Sequence, residues 1–379
     1  MSRKPPIEHP QTPALDAVLG HLRALVAFDT RNPPRAVERG IFDYLEAQLP
    51  GFHCTLTDHG DGALSLLAVR GRPDLLFNVH LDTVPDSPQW SASPFELRID
   101  AGRAIGLGAC DTKGAAAALL AAAGASDGDA ALLFTSDEEA NDARCIGAFL
   151  ARLPIADWPL HAVVVAEPTR CEAVLAHRGI SSVRLRFRGS AGHASGDLAS
   201  NASALHHAVR WGARALDLAT AQEHQRFGGL TGLRFNIGRV EGGIKANMVA
   251  PEADLRFGFR PLPSMSFERL HEGFATLVDA GALERYEETF RGPPLPAGDT
   301  ADAEQRRLEA RDLADALGLP IGNAVDFWTE ASLFSAAGLT AIVFGPGDIA
   351  QAHAADEWVA LDQLATATAT YRRLLGGVR

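Results

Sequence analysis

Short apolar runs that stop abruptly on polar or charged residues recur through the first half of the chain. Residues 64–69, 74–80, 130–135 and 162–166 are such runs, and each predicts a strand. Runs of this kind read as strands covered on both faces. Helices are predicted between them at 112–123 and 143–153, and before them at 16–27 and 40–49. The segment Phe28-Asp29-Thr30-Arg31-Asn32-Pro33-Pro34 breaks the first two helices apart as a loop. Near residue 178 the pattern changes. Residues 181–188 and 253–259 alternate apolar with charged or small residues, as a strand does when one face meets solvent or a partner. A further strand at 232–240 and helices at 201–218 and 267–280 complete this stretch. Parallel-sheet character then returns, with a helix at 300–317 and a strand at 341–344 that opens onto Gly345-Pro346-Gly347. The pattern predicts an α/β catalytic domain with a mostly parallel central sheet, split over residues 1–177 and 291–379. An α+β domain is inserted at 178–290.

Composition narrows the function. A chain of 379 residues, 46% hydrophobic, has length for two domains and apolar content for a sizeable core. The formal charge of −12, with no Lys/Arg-rich run, argues against a nucleic-acid partner. Cysteines at 54, 110, 145 and 171 form no CxxC pair, which points to reduced thiols in a cytoplasmic protein. The opening MSRKPPIEHPQTP has no apolar stretch of a secretory signal and reads as a loose tail. The alanine-rich run at 115–123 is far too short to cross a membrane, and no membrane association is expected.

The candidate chemistry sits where the apolar runs end. His80-Leu81-Asp82 follows one strand, Asp137-Glu138-Glu139 another, and Glu167-Pro168 a third. Asp111 lies in a glycine-flanked turn before a helix, and His353 lies in a loop after the last strand. In an open α/β sheet these are the positions that deliver side chains to a crevice. Each fragment also has a plainer reading. His80 fits a satisfied core histidine, Asp111 a helix N-cap, and Glu138-Glu139 an acidic helix start. Glu167 fits a strand-end acid and His353 a surface loop residue. As a set, two imidazoles and several carboxylates supply the ligand chemistry of a hydrolytic site with two divalent metals. Alternate residues of an extended chain share a face, so Asp82 is placed to fix the ring of His80.

Seven segments in order raise this further: HLDTVPDSPQWSASPF, GLGACDTKG, TSDEEAN, VVAEPT, AHRGISSVRLRFRGSAGHAS, GRVEGGIKANMVAPEADLRFGFRPLP and FGPGDIAQAHAADEWV. Over nearly its whole length the chain resembles the acetylornithine deacetylase / succinyl-diaminopimelate desuccinylase / carboxypeptidase family of dinuclear zinc hydrolases. The resemblance implies a zinc-exopeptidase-like catalytic domain and an inserted α+β sandwich that serves as lid and homodimerisation domain. It implies that His80 and Glu167 hold one metal, that Glu139 and His353 hold the other, and that Asp111 bridges them. The ions are expected to be Zn2+, with Co2+ or Mn2+ suited to the same ligands. By the same resemblance Asp82 orients His80, and Glu138 is general base and then acid. His193 stabilises the oxyanion across the dimer, and Asn247 and Arg260 hold the substrate carboxylate. The implied substrate is an N-acetyl-L-amino acid. N-acetyl-L-citrulline, in arginine biosynthesis, is preferred over N-acetyl-L-ornithine, with a desuccinylase, dipeptidase or carboxypeptidase as further alternatives. A non-catalytic binder of small amides is disfavoured because Glu138 and all five ligand candidates are present. Two departures stand out: Cys110 precedes Asp111, and Trp328, with Asp326 and Glu330 nearby in sequence, replaces a smaller residue.

Overall fold

The structure is a computed structural model that describes residues 13–140, 142–152, 159–196 and 202–376. The polar N-terminal tail and residues 153 and 201, at the ends of two predicted helices, lie outside the described residues. Backbone contacts divide the chain into two compact units. One holds residues 1–175, 308–322 and 329–379, and the other residues 176–307 and 323–328.

The first unit begins with helices α1 (Pro13–Val26) and α2 (Arg39–Ala47) and strands β1 (His53–Asp58), β2 (Leu64–Arg70) and β3 (Leu75–His80). A small pair, β4 (Arg98–Asp100) and β5 (Arg103–Ile105), precedes helix α3 (Lys113–Gly124). Strand β6 (Ala130–Thr135), helix α4 (Arg144–Arg152) and strand β7 (Ala162–Val165) follow.

The second unit contributes β8 (Ile180–Arg188), β9 (Gly192–His193), helix α5 (Ala204–Ala221), and the short β10 (Arg226–Phe227) and β11 (Leu230–Thr231). Strands β12 (Arg234–Gly242), β13 (Met248–Val249) and β14 (Glu252–Arg260), helix α6 (Phe267–Thr276) and strand β15 (Leu283–Gly292) come next. Helix α7 (Ala303–Ala316) carries the chain back into first-unit residues. That unit ends with α8 (Ala331–Ala336), β16 (Thr340–Val343), β17 (Trp358–Ala360) and α9 (Leu361–Leu375).

The central sheet of the first unit has the order β1-β2-β6-β3-β7-β16. Neighbours β6, β3, β7 and β16 are parallel, whereas β1 and β2 pair antiparallel at one side. Every residue of β6 and β7 is buried. That is why these strands read as unbroken apolar runs and not as alternating ones. Helix α3 packs against α1 and α9. Its small side chains permit close approach, and at Gly114 even a Cβ would stand 2.3 Å from the carbonyl oxygen of Ala109. Helix α9 buries Leu361, Leu364, Ala367, Tyr371, Leu374 and Leu375, and the Tyr371 hydroxyl donates to the Phe344 carbonyl at 3.0 Å. Because the strands run parallel, β3, β6, β7 and β16 end at the same edge of the sheet, and the loops that leave them share it.

The second unit is a four-stranded antiparallel sheet of order β12-β14-β8-β15, with helices on one face. On β8 the buried residues Ser181, Val183, Leu185 and Phe187 alternate with Ser182, Arg184 and Arg186. The buried face is aromatic: Trp211 of α5 lies 4.7 Å from Phe257 between ring centroids, and Phe257 lies 5.2 Å from Phe274. Charges at five of its ten positions hide β15 (LERYEETFRG) from the hydrophobic pattern, yet it completes the sheet as an edge strand. No helix among the described residues is long and apolar enough to cross a membrane.

Candidate metal centre

Seven of the ten candidate residues belong to the first unit, at the strand-end edge of its sheet. His80 is the last residue of β3, and its backbone carbonyl accepts from the Thr112 hydroxyl at 2.7 Å. Its Nε2 lies 3.0 Å from Asp111 Oδ1 and 3.9 Å from Glu167 Oε1. His353 approaches Asp111 from another direction, with Nε2 3.3 Å from Asp111 Oδ2 and 2.9 Å from Glu139 Oε1. Two groups of three result: His80, Asp111 and Glu167, and Asp111, Glu139 and His353. Within each, the donor atoms lie within 4.8 Å of one another. Asp111 is the member they share, and it offers a different oxygen to each imidazole.

Asp82 is fully buried beside this set. Its carboxylate was the expected acceptor for the His80 ring, but the nearer atom is its backbone carbonyl, 3.1 Å from Nδ1 against 3.5 Å for Oδ1. The other carboxylate oxygen accepts from the backbone N–H of Glu139 at 2.9 Å. Asp82 therefore ties the β3 end to the β6 end, which sequence spacing cannot reveal.

The electrostatics are those of acids crowded away from water. Burial, reinforced by the charge of Asp111, pushes the Glu167 carboxyl well above its ordinary value. Glu138 is raised well above its own, first by burial and then by Glu139, Glu167 and Asp111, with His80 opposing. Glu139 is raised by burial despite the hydrogen bond to His353. Burial disfavours ionised Asp111, but the two imidazoles outweigh it and hold that carboxyl below the usual range. His353, between Asp111 and Glu139, is pushed up to about 11. A divalent cation is the natural counter-charge for such a set. Two imidazole nitrogens with three carboxylates is a mixed N/O donor set of the kind zinc, cobalt and manganese accept, so the residues fit the expected metals.

The loop that carries His353 is pinned on both sides. Asp348 pairs with Arg170, and Asp356 accepts from the Ser91 hydroxyl at 2.9 Å and from Arg98 at 2.7 Å. His353 itself has a left-handed backbone, φ 56°, a conformation that costs free energy and persists where neighbours hold it.

Two further buried acids, to which the sequence assigned no role, lie nearby. Burial pushes Asp137 up to about 6 and Glu330 up to about 8. The Thr135 hydroxyl donates to Glu330 at 3.0 Å, and the Cys145 N–H to Asp137 at 3.0 Å. The signal for Asp137 was its place in Ser136-Asp137-Glu138-Glu139, directly after β6. Four free cysteines are present, three of them buried.

The other three candidates belong to the second unit. His193 and Asn247 share one two-stranded ribbon: His193 pairs with Met248, and the Ala194 N–H donates to the Asn247 carbonyl at 3.1 Å. His193 is exposed, and its Nδ1 lies 2.7 Å from the Ser195 hydroxyl. Arg260 ends β14, half-buried beside Asp326. Asp326 pairs with the fully buried Arg178, which also donates to the carbonyls of Gly232 at 2.5 Å and Thr231 at 2.7 Å. Arg234 stands 3.6 Å from the same carboxylate.

The chain is 67% identical over 368 residues to N-acetyl-L-citrulline deacetylase of Xanthomonas campestris pv. campestris, covering 97% of this chain and 99% of that protein. It is 30% identical over 333 residues to acetylornithine deacetylase of Vibrio vulnificus, covering 82% of this chain and 84% of that one. The fold is similar to that of an M20 family metallo-carboxypeptidase from Sulfolobus solfataricus, with a TM-score of 0.69 at 17% identity over 95% of this chain and 98% of that one. Residues 76–376 match peptidase family M20/M25/M40, and the chain belongs to that family.

Proposed function

We propose that the chain is a metal-dependent amidohydrolase that cleaves N-acetyl-L-citrulline to acetate and L-citrulline, a step of arginine biosynthesis in the cytoplasm. The observation that carries this reading is the 67% identity, over 97% of the chain, to a protein of that activity. In this reading His80 and Glu167 would hold one ion, Glu139 and His353 the other, and Asp111 both. Zinc is the first choice, with cobalt or manganese as substitutes. When bound, such a pair supplies Lewis acidity toward the amide carbonyl and lowers the pKa of water.

The chain's own groups do the remaining work. Glu138, in neither ligand group, takes the proton from the attacking water and delivers it to the leaving nitrogen. A carboxyl raised by burial suits both steps. His193 donates to the developing oxyanion, and Arg260 with Asn247 holds the α-carboxylate.

In the reading His193 acts on the partner of a homodimer formed through residues 178–290. The exposed apolar side chains of Val209 and Leu216 on α5, and Val240 and Ile244 on or just after the edge strand β12, support such an interface. Sedimentation is expected to give a dimer, and His193→Ala to lower kcat by about 10²–10³ with the dimer intact. A fully active monomer at high dilution would exclude the trans role.

Preference for citrulline over ornithine rests on charge. An ammonium-bearing side chain needs an uncompensated carboxylate, and neither acid flanking Trp328 in sequence offers one. Asp326 is already countered by Arg178 and Arg234. Glu330 is buried, its carboxyl is pushed up to about 8, and it already accepts from the Thr135 hydroxyl. A neutral ureido group needs no such charge. The kcat/KM for N-acetyl-L-citrulline is therefore expected to exceed that for N-acetyl-L-ornithine by about tenfold or more at pH 7. Initial rates on both substrates with the zinc-loaded protein check this, and an equal or inverted ratio would move the enzyme to the ornithine branch.

A further inference from the structure

One buried carboxylate beside the candidate metal centre has no place in the mechanism above. Glu357, 2% exposed, lies just before β17 and four residues after His353. Its Oε2 accepts from the Gly108 N–H at 3.1 Å, and its Oε1 from the N–H groups of Cys110 at 2.8 Å and Asp111 at 3.0 Å. All three donors lie on the turn that presents Asp111. The backbone carbonyl of Glu357 adds a fourth contact to this segment, accepting from the Gly106 N–H at 3.0 Å.

We propose that Glu357 is a positioning residue of the dinuclear site: its carboxylate winds the Gly106–Asp111 turn around itself and so sets where the Asp111 carboxylate points. This rests on the reading of Asp111 as the shared ligand. Three features carry it. Successive N–H groups that converge on one anion form a nest, which fixes a short loop more firmly than a single hydrogen bond does. The turn has no slack: Gly108 has φ 78°, and a Cβ there would stand 2.8 Å from Thr83 and 2.9 Å from Lys113. Its geometry is thus set by what its N–H groups meet. Finally, the Asp111 side chain contacts the two imidazoles, which are themselves ligand candidates. The Glu357 carboxylate holds Asp111 by its backbone and leaves both side-chain oxygens free.

The same C-terminal segment thus supplies His353 to one ligand group and the grip on the residue common to both. A neutral side chain of equal size cannot replace it. Glutamine offers one acceptor oxygen, and its NH2 would face backbone N–H donors. Aspartate keeps the charge but falls short by one methylene.

Calorimetric titration of the metal-free protein with Zn2+, and the visible spectrum of the Co2+-loaded protein, test this on the wild type, Glu357→Gln and Glu357→Asp, with thermal melts of each. Glu357→Gln is expected to bind metal about 10–100-fold more weakly, with a changed Co2+ spectrum and kcat reduced more than KM is altered. Glu357→Asp is expected to fall between it and the wild type, which keeps the test open should the glutamine variant not fold. Wild-type affinity and spectrum in a folded variant that merely melts earlier would overturn the proposal and leave Glu357 a structural tie. A wild type that binds no metal would overturn it by a different route, through failure of the metal reading itself.

Discussion

Glu138→Gln is expected to lower kcat on N-acetyl-L-citrulline toward the upper end of the about 10²–10⁴-fold that general acid–base catalysis supplies, with KM nearly unchanged. Two proton transfers depend on this one carboxyl in the proposed mechanism, so both are lost together. Glutamine matches its shape but cannot accept the proton from water or return it to the amine. Among the described residues the nearby acids already have partners, Asp137 with the Cys145 N–H and Glu330 with the Thr135 hydroxyl. Glu139 is held 2.9 Å from His353, and Glu167 and Asp111 belong to the ligand groups. Because Glu138 belongs to neither group, metal stoichiometry should stay at the wild-type value. That separates loss of a base from collapse of the site. Initial rates with metal content measured on the same sample decide the matter. A folded variant that keeps its metal and more than a tenth of wild-type kcat would remove Glu138 from the mechanism.

The strand ends were legible because burial on both faces writes itself into sequence as an apolar run, and the run's last residue is where the sheet edge lies. Strand β6 has the same limits, 130–135, in pattern and structure. Helix α9 carries its signal more faintly. Leu361, Leu364, Tyr371 and Leu374 have helical spacing, but threonine and alanine fill the positions between them and weaken the apolar stripe. Strand β15 is an edge strand whose charges face water, so no apolar run marks it. At the site, side chains that announce chemistry by type and position were readable: the two histidines, Asp111 and the acids after β6 and β7. What supports them was not. The backbone carbonyl of Asp82 meets the His80 ring and its carboxylate the Glu139 N–H, and Glu357 meets N–H groups nearly 250 residues away in sequence. Backbone donors have no residue type, so no motif records them.

Asp111→Asn is expected to damage metal binding more than the loss of any other single candidate ligand. The reason is its membership in both groups, with Oδ1 toward His80 and Oδ2 toward His353. A carboxylate can give one anionic oxygen to each of two cations. A carboxamide gives one neutral oxygen and turns an NH2 toward the second. The remaining residues then form two incomplete pairs, His80 with Glu167 and Glu139 with His353, each short of a ligand. Zinc stoichiometry by calorimetry should fall from two to at most one. Activity should fall by at least about a thousandfold, since carbonyl polarisation and water activation both depend on the pair. His353→Ala provides the comparison. It removes a member of one group only, so the His80, Asp111 and Glu167 group should retain its ion at near wild-type affinity. If the two variants instead lose the same single equivalent with the same residual affinity, Asp111 serves one metal and not two. The oxygen facing His353 would then be an ordinary hydrogen-bond acceptor.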